Sequence, residues 1–320
     1  MIKIGITEVK PENACSYYRS FGTLGKLKNV SLVPLKEINW LSLNSIDILF
    51  IGRPDHKNYV ELLRIAKDLN IPTWIDWDDN VLVLPEYNPA YAHFNSRKQE
   101  VIDCIKLADI VTVSTEDLKS QLSQYNGNIH IIENAFNNYN YDFIKQESQV
   151  NEVFWRGSNT HRGDLMTVHD EMVSVSNKFN DWIFLFVGGD AWYVADKIKN
   201  SAKGASVDIL SYNKFLKYYP HSIMQVPLED NSFNRSKSNI AWIEGTFNGC
   251  ATIAQGLPEF CKPGVVTYDT PDKYQYYLEK LMGSKEYRLK QYNESFEYIK
   301  ENLMLTEMNK KRIKIIERLI

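Results

Sequence analysis

Alternation of short apolar runs with segments of helical period is the feature that most constrains this chain. Segments 59–69 and 99–108 place their apolar side chains on one helical stripe, and Thr115 is a candidate cap for a helix that runs to about residue 124. Strands alternating with helices predict a parallel sheet covered on both faces. In the first half, the predicted strands are residues 3–7, 47–52, 73–76, 110–114 and 129–133.

The same alternation restarts after a polar segment, residues 137–151, which is typical of a linker. At 320 residues the chain suits two domains of ordinary size, predicted as 1–145 and 146–320, each Rossmann-like and doubly wound. A crevice between two such domains is the natural ligand site. The second half is predicted to contain strands at 153–156, 182–187, 207–210 and 223–226, and helices at 163–178, 191–199, 212–218 and through 273–320.

Composition narrows the class of protein but not its chemistry. The 44% hydrophobic content is that of a globular chain, and the net charge of −3 gives no overall attraction to nucleic acid or membrane. The four cysteines lack CxxC spacing, and no apolar segment approaches the length of a membrane span. We expect a soluble cytoplasmic protein with reduced thiols and no membrane span.

The most informative segment is residues 227–254. A helix is predicted to begin near Ser236 and end at Gly249, capped by Ser236 or Ser238, with Lys237 in its first turn. Free N–H groups and the helix dipole attract anions, and Lys237 would add a full charge. Glu244 lies seven residues after Lys237, at a reach suited to ribose hydroxyls. The alternative is an ordinary capped helix with a solvated lysine.

Three motifs in this sequence resemble one family. The first is Pro227-Leu-x4-Phe-Asn-x2-Lys-Ser-x5-Glu-Gly, and the second is Gly-Ser-x2-His-x2-Asp-Leu, ending at Leu165. The third is Asp-x-Asp-Asp, ending at Asp79, and it is preceded by Tyr-Tyr-Arg, ending at Arg19, in the first βα loop. Together they are similar to glycosyltransferases with two Rossmann-like domains facing a central cleft (the GT-B fold), closest to the retaining family 4 type of bacteria and phages.

The resemblance implies a nucleotide-sugar donor with uracil as its base, a hydroxyl acceptor, a last helix that crosses back to the first domain, and no required cofactor or bound metal. It assigns catalysis to Lys237, Arg156 and His161. The donor would be bound by Gly157, Ser158, Arg162, Gly188, Gly189, Ser238, Asn239 and Glu244, and the acceptor by Arg19, Asp76, Asp78 and Asp79. The three aspartates also invite a metal interpretation, but we assign them to acceptor contacts or to capping.

One departure from the family pattern keeps alternatives open. Family 4 enzymes usually carry a glutamate where this chain has Ser236, which puts the contacts of that residue with the sugar in doubt. The acceptor is a hydroxymethylated pyrimidine in phage DNA, or else a surface polysaccharide or other carbohydrate. A non-catalytic sugar-nucleotide-binding protein is the alternative from another class. A dinucleotide-dependent enzyme is disfavoured, because neither half has GxGxxG after its first strand.

Overall fold

The computed structural model describes residues 1–7, 10–35, 40–144, 150–189 and 191–320, except for the side chains of Trp40, Arg162 and Trp192. Its contacts divide the chain into two units. Unit 1 comprises Met1–Tyr139, Ser236–Ser238 and Leu305–Ile320, and unit 2 comprises Asn140–Arg235 and Asn239–Met304. Each unit is built on one six-stranded parallel sheet, which confirms the predicted α/β class with two Rossmann-like sheets.

The sheet of unit 1 has the order β2-β1-β3-β4-β5-β6. The chain leaves β1 toward one edge and returns to its other side at β3, so the strand order reverses between β1 and β3. Ligands of doubly wound sheets bind outside the carboxyl ends of strands at such a switch point. The strands are β1 (Ile2–Ile6), β2 (Val30–Pro34), β3 (Ile48–Gly52), β4 (Thr73–Trp77), β5 (Ile110–Val113) and β6 (Ile129–Ile131).

Helices cover the sheet of unit 1, and local sequence explains several of their ends. Thr115 accepts a hydrogen bond from the Leu118 N–H, as its predicted capping role requires. The C-terminal helix, Leu305–Leu319, buries Leu305 and Ile315 in the same core as residues of β1 and β3. The other helices are α1 (Ala14–Arg19), α2 (Phe21–Leu24), α3 (Trp40–Leu43), α4 (Lys57–Asp68), α5 (Tyr91–Asn95), α6 (Lys98–Leu107) and α7 (Glu116–Leu122), with a 3₁₀ turn at Val81–Val83.

The sheet of unit 2 has the order β12-β11-β10-β7-β8-β9. Its switch point lies between β7 and β10, because the chain runs outward through β8 and β9 before crossing back. The strands are β7 (Glu152–Gly157), β8 (Ile183–Gly188), β9 (Ser201–Gly204), β10 (Ile223–Val226), β11 (Ala251–Gln255) and β12 (Val265–Tyr268).

The helices of unit 2 include two long ones near the end of the chain. Thr270 caps the first of these and Ser284 the second, each through its hydroxyl oxygen. No helix in the described ranges is long and apolar enough to cross a membrane. The helices are α8 (Arg162–Met166), α9 (His169–Lys178), α10 (Trp192–Ala195), α11 (Ile209–Tyr218), α12 (Ser232–Arg235), α13 (Ile240–Phe247), α14 (Pro271–Gly283) and α15 (Lys285–Asn302), with 3₁₀ turns at Asn159–His161 and Pro258–Phe260.

Two element predictions for unit 2 are wrong. The predicted strand at 207–210 is a helix start, because the Asp208 carboxylate accepts the N–H groups of Leu210 and Ser211 and caps α11. The edge strand is instead β9. The predicted helix at 163–178 is two helices, α8 and α9, interrupted at residues 167–168. Strands β2, β11 and β12 were not predicted from the sequence.

The predicted helix start near Ser236 is also wrong. Helix α13 begins at Ile240, and its N-cap residue Asn239 makes no side-chain capping bond. Residues Ser236–Ser238 belong to unit 1. There, the Thr115 hydroxyl donates to the Ser236 carbonyl at 3.0 Å, and the Asn134 amide donates to the Ser238 hydroxyl at 2.8 Å. These polar groups are therefore bonded within unit 1 and do not cap α13.

Candidate functional site

The backbones of β7 and β8 lie close to each other at the carboxyl ends of the two strands. Gly157 and Gly188 are paired there, and the Gly189 N–H donates to the Gly157 carbonyl at 2.9 Å. Gly188 has φ +95°, and a Cβ on it would lie 2.2 Å from the Gly157 oxygen. A Cβ on Gly189 would lie 2.5 Å from the Ser158 carbonyl carbon. Gly157, Gly188 and Gly189, here called the glycine cradle, therefore let the ends of β7 and β8 and the loop after β7 pack closely without side chains between them.

Replacing Gly188 by alanine is expected to destabilise unit 2 by about 1–3 kcal/mol or more, since positive φ and the clash with Gly157 both oppose a side chain. Denaturant unfolding measures the loss. Gly127→Ala is the control, because a Cβ at Gly127 meets nothing within 4 Å. Equal unfolding midpoints for the two variants would contradict the strain argument.

An ion pair joins the end of β7 to α13 in unit 2. Arg156 Nε and Nη2 each lie 2.7 Å from Glu244 Oε2, and the Tyr212 hydroxyl lies 3.5 Å from the same oxygen. The Arg156 side chain keeps 24% of its surface exposed, whereas that of Glu244 keeps 5%. Burial raises the pKa of Tyr212, and the Glu244 charge raises it further, so Tyr212 is a neutral hydroxyl. The structure thus brings together two predicted site residues 88 positions apart.

The remaining predicted residues of unit 2 lie in the loops beside these strands. His161 Nδ1 lies 2.8 Å from an Asp164 carboxylate oxygen, and Ser158 shares a hydrogen bond of 2.7 Å with Thr160. The Asn239 amide donates to the Glu259 carbonyl at 3.3 Å. The backbone of Arg162 begins α8, but its side chain lies outside the described part of the chain.

In unit 1, Arg19 and Asp76 form a buried two-point ion pair. The two nitrogen–oxygen distances are both 2.9 Å, from Arg19 Nε and from Nη2. Arg19 Nη1 also donates to the Ile132 carbonyl, and the Thr112 hydroxyl donates to Asp76 at 2.5 Å. The carboxylate thus links α1, β4 and β5, and direct contact of Arg19 or Asp76 with an acceptor stays a prediction.

The C-terminal helix adds a further cation beside this pair that the sequence analysis missed. Arg312 is buried, and burial lowers its pKa to about 9, with a smaller lowering by Arg19. Asp76 acts in the opposite direction. The sequence predicted a helix through residue 312, but nothing in the sequence connected Arg312 with Asp76.

Arg53 is a second missed residue. It follows β3 with φ 48°, and its guanidinium contacts Asp78 and, at 2.8 Å, Asp79. Lys237 Nζ lies 3.6 Å from Asp79 as well. The position of Arg53 directly after β3, where ligands of doubly wound sheets bind, was the sequence signal that could have identified it as a site residue.

A cavity of about 30 Å³ lies at the switch point of unit 1 and reaches from β1 across β3 to β4. Its wall includes Arg19, Arg53, Asp76 and Asp78. Such a volume holds a group the size of about two waters. Burial and the Asp78 charge raise the pKa of the Cys15 thiol in its wall to about 12, which keeps it unreactive. In the described residues, no group of three His, Cys, Asp or Glu side chains is placed to hold a metal ion.

Several known structures share this fold. S. aureus TarM, solved with fondaparinux, alpha-GlcNAc-glycerol and UDP, is 14% identical with a TM-score of 0.63, over 83% of this chain and 54% of TarM. Anabaena HepE, solved with UDP, is 10% identical with a TM-score of 0.66, over 99% of this chain and 100% of HepE. An alpha-glucosyltransferase, solved with UDP and a 13-mer DNA containing an HMU base, is 12% identical with a TM-score of 0.67, over 99% of both chains.

The chain has the GT-B fold. This confirms the fold that the three sequence motifs implied. The chain spans about half the length of TarM but the whole length of HepE and of the alpha-glucosyltransferase. The sequence matches no protein-family model, and a search of curated proteins finds no match.

Proposed function

We propose that this GT-B chain is a glycosyltransferase that moves a sugar from a UDP-sugar to a hydroxyl acceptor. The observation that carries the proposal is the Arg156–Glu244 pair of unit 2, which joins the end of β7 to α13 beside the glycine cradle. Helix α13 follows β10, so the pair lies at the β7–β10 switch point, where doubly wound sheets bind nucleotides. UDP bound to three solved structures of the same fold supports the choice of nucleotide.

Glu244, Arg156 and the glycine cradle each suit one part of a nucleoside diphosphate. A buried carboxylate such as Glu244 can accept the hydroxyls of a ribose. Arg156 has a planar fork of donors and an exposed side, which suits diphosphate oxygens. The glycine cradle, with Ser158 next to it, lies at the carboxyl ends of β7 and β8, the edge at which doubly wound sheets bind phosphate groups. Gly157, Gly188, Gly189, Ser158 and Glu244 are therefore the proposed donor-binding residues of unit 2.

The proposed reaction needs positioning and charge more than a protein nucleophile. The leaving diphosphate gains negative charge as its bond to the sugar breaks, and Arg156 would stabilise that charge. With retention, the same diphosphate would take the proton of the incoming hydroxyl on the same face of the sugar. Lys237, which lies in unit 1 outside any helix with its Nζ 3.6 Å from Asp79, stays a proposed catalytic residue on its charge alone.

The acceptor is proposed as a hydroxyl of a modified pyrimidine in DNA, and the alternative is a carbohydrate hydroxyl. The structure of an alpha-glucosyltransferase with DNA supports the first, and that of TarM with alpha-GlcNAc-glycerol supports the second. The cavity of unit 1, with Arg53 and Asp78 in its wall, is the proposed acceptor side. A hydroxyl group fits its volume.

UDP is expected to raise the melting temperature of the protein. A ligand that binds only the folded chain stabilises it by about 2.7 kcal/mol at 100 times its Kd. Differential scanning fluorimetry with UDP, GDP and ADP, each with and without magnesium, measures this effect and its base preference. We expect UDP to give the largest shift, magnesium to change it little, and Glu244→Gln to reduce it. No shift with any diphosphate at millimolar concentration would refute the donor site.

Sugar transfer is tested by incubating the protein with UDP-sugars and either hydroxymethylated DNA or oligosaccharides. Mass spectrometry then measures the masses of the products. Released UDP together with a glycosylated product establishes the reaction. A UDP-induced melting shift without product or UDP release from any donor would favour the non-catalytic binding protein.

A further inference from the structure

Asp164 joins two loops at the switch point of unit 2. Its Oδ1 accepts the Glu229 N–H at 2.7 Å and the Asn234 side-chain amide at 2.8 Å. Its Oδ2 lies 2.8 Å from His161 Nδ1. His161 precedes α8 in the loop after β7, whereas Glu229 and Asn234 follow β10, the neighbouring strand. One carboxylate therefore fixes both loops beside the place where doubly wound sheets bind ligands.

The charge of Asp164 needs a counter-charge, because its side chain is only 4% exposed and a buried lone carboxylate is costly. Of the three contacts just named, the His161 imidazole is the one that can become positive. Other charged groups on the surrounding elements are Arg156 at the end of β7 and Glu229 and Asp230 after β10. Arg156 is paired with Glu244, and Asp230 with Arg235 of α12, whereas Glu229 adds negative charge. A proton on His161 would balance the charge of Asp164.

The contact with Asp164 also decides which ring nitrogen faces the glycine cradle. Because Nδ1 points to Asp164, Nε2 lies on the far side of the ring. A Cβ on Gly157 would lie 3.0 Å from His161 Cδ2, the ring carbon bonded to Nε2. Trp155 meets the ring edge-on, with centroids 6.3 Å apart. A protonated ring would thus present its Nε2–H group beside the cradle.

We propose that Asp164 is a positioning residue that holds His161 protonated, with Nε2–H directed to donate to the diphosphate of the donor. This inference rests on the proposed function. During transfer the bond between the anomeric carbon and the diphosphate oxygen breaks, and that oxygen keeps the electron pair. The acceptor oxygen forms the new bond, and its proton passes to the leaving diphosphate. His161 keeps its proton throughout and supplies a charged hydrogen bond, while Asp164 acts only through His161.

Asp164→Asn tests the inference because asparagine keeps the shape and can still accept from Glu229 and Asn234 but carries no charge. Nitrogen-15 NMR of the His161 ring should show its proton dissociating at lower pH than in the wild type. At neutral pH, kcat should fall about 10- to 100-fold, as for other residues that orient a reacting histidine. The alkaline limb of the kcat profile should move to lower pH, whereas the donor KM should change much less.

Asp170→Asn is the matched control. Asp170 also contacts a histidine Nδ1, that of His169 at 3.0 Å, but its own side chain is 96% exposed. This variant should leave the His161 titration and kcat unchanged. In a double variant, Asp164→Asn should add nothing to the loss caused by His161→Gln.

Additive losses in the double variant, or an unchanged His161 titration in Asp164→Asn, would overturn the inference while leaving the proposed transferase intact. A wild-type chain that transfers no sugar refutes the proposed function instead. The ring titration, measured without any sugar, still reports whether Asp164 holds the proton, so the two failures can be told apart.

Discussion

Replacing Asp76 by alanine is expected to destabilise unit 1 by about 3–5 kcal/mol, the usual cost of breaking a buried ion pair. The side chains of Arg19 and Asp76 are 3% and 5% exposed, so water cannot replace the lost partner. The effect is increased by Arg312, which is buried near Arg19 and would then share no carboxylate with it. Urea unfolding followed by circular dichroism gives the free energy of unfolding.

Glu307→Ala is the matched control for this prediction. Glu307 forms an exposed ion pair with Lys310 on the C-terminal helix of the same unit, and such pairs contribute about 0–1 kcal/mol. A double variant, Arg19→Met with Asp76→Leu, should recover part of the loss, because it removes Arg19 as an unpaired buried charge and leaves Arg312 as the buried cation of this cluster. A loss below about 1 kcal/mol for Asp76→Ala would show that Arg19 finds compensation elsewhere.

Most strands that the sequence predicted correctly are interior ones with continuous apolar runs, but the edge strand β6 was also predicted and the interior strand β11 was missed. β3, with the sequence Ile-Leu-Phe-Ile-Gly, is buried on both faces, as parallel strands covered by helices are. The missed strand β2 lies at the sheet edge and is only half buried, so its apolar signal is diluted. The wrong strand at 207–210 contained a helix cap, Asp208, whose capping role depends on where the helix begins. The spacing of apolar residues alone does not distinguish a half-buried edge strand from the start of a helix.

The candidate site was predictable residue by residue but not in its pairings. Sequence motifs indicated both Arg156 and Glu244, yet their contact follows only from β10, α13 and β7 lying together at a switch point. For Lys237, the predicted structural setting was wrong. Its prediction as a helix-terminus residue depended on a cap at Ser236, and that serine is bonded to Thr115 of unit 1 instead. Contacts between residues distant in the chain decide such cases, and one sequence does not contain them.

Arg156→Ala is expected to lower kcat by about 10²- to 10³-fold at saturating donor, the effect of removing one preorganised stabiliser of developing charge. Its Nε and Nη2 atoms meet one oxygen of Glu244, and its side chain retains an exposed face toward which a diphosphate can bind. The loss should fall mainly on kcat, because the charge on the leaving group grows as the bond breaks. Steady-state kinetics with a UDP-sugar measures both parameters.

Arg156→Ala also leaves Glu244 buried without its cation, so stability must be separated from chemistry. Arg156→Lys restores a positive charge for Glu244 but not the planar fork, and it should recover stability while keeping most of the loss in kcat. Lys178→Ala is the control, because it removes an exposed cation of unit 2, paired with Glu279, and should leave kcat within about twofold of the wild type. If Arg156→Lys restores kcat fully, Arg156 serves only to neutralise Glu244, and the charge on the leaving diphosphate is stabilised by other groups.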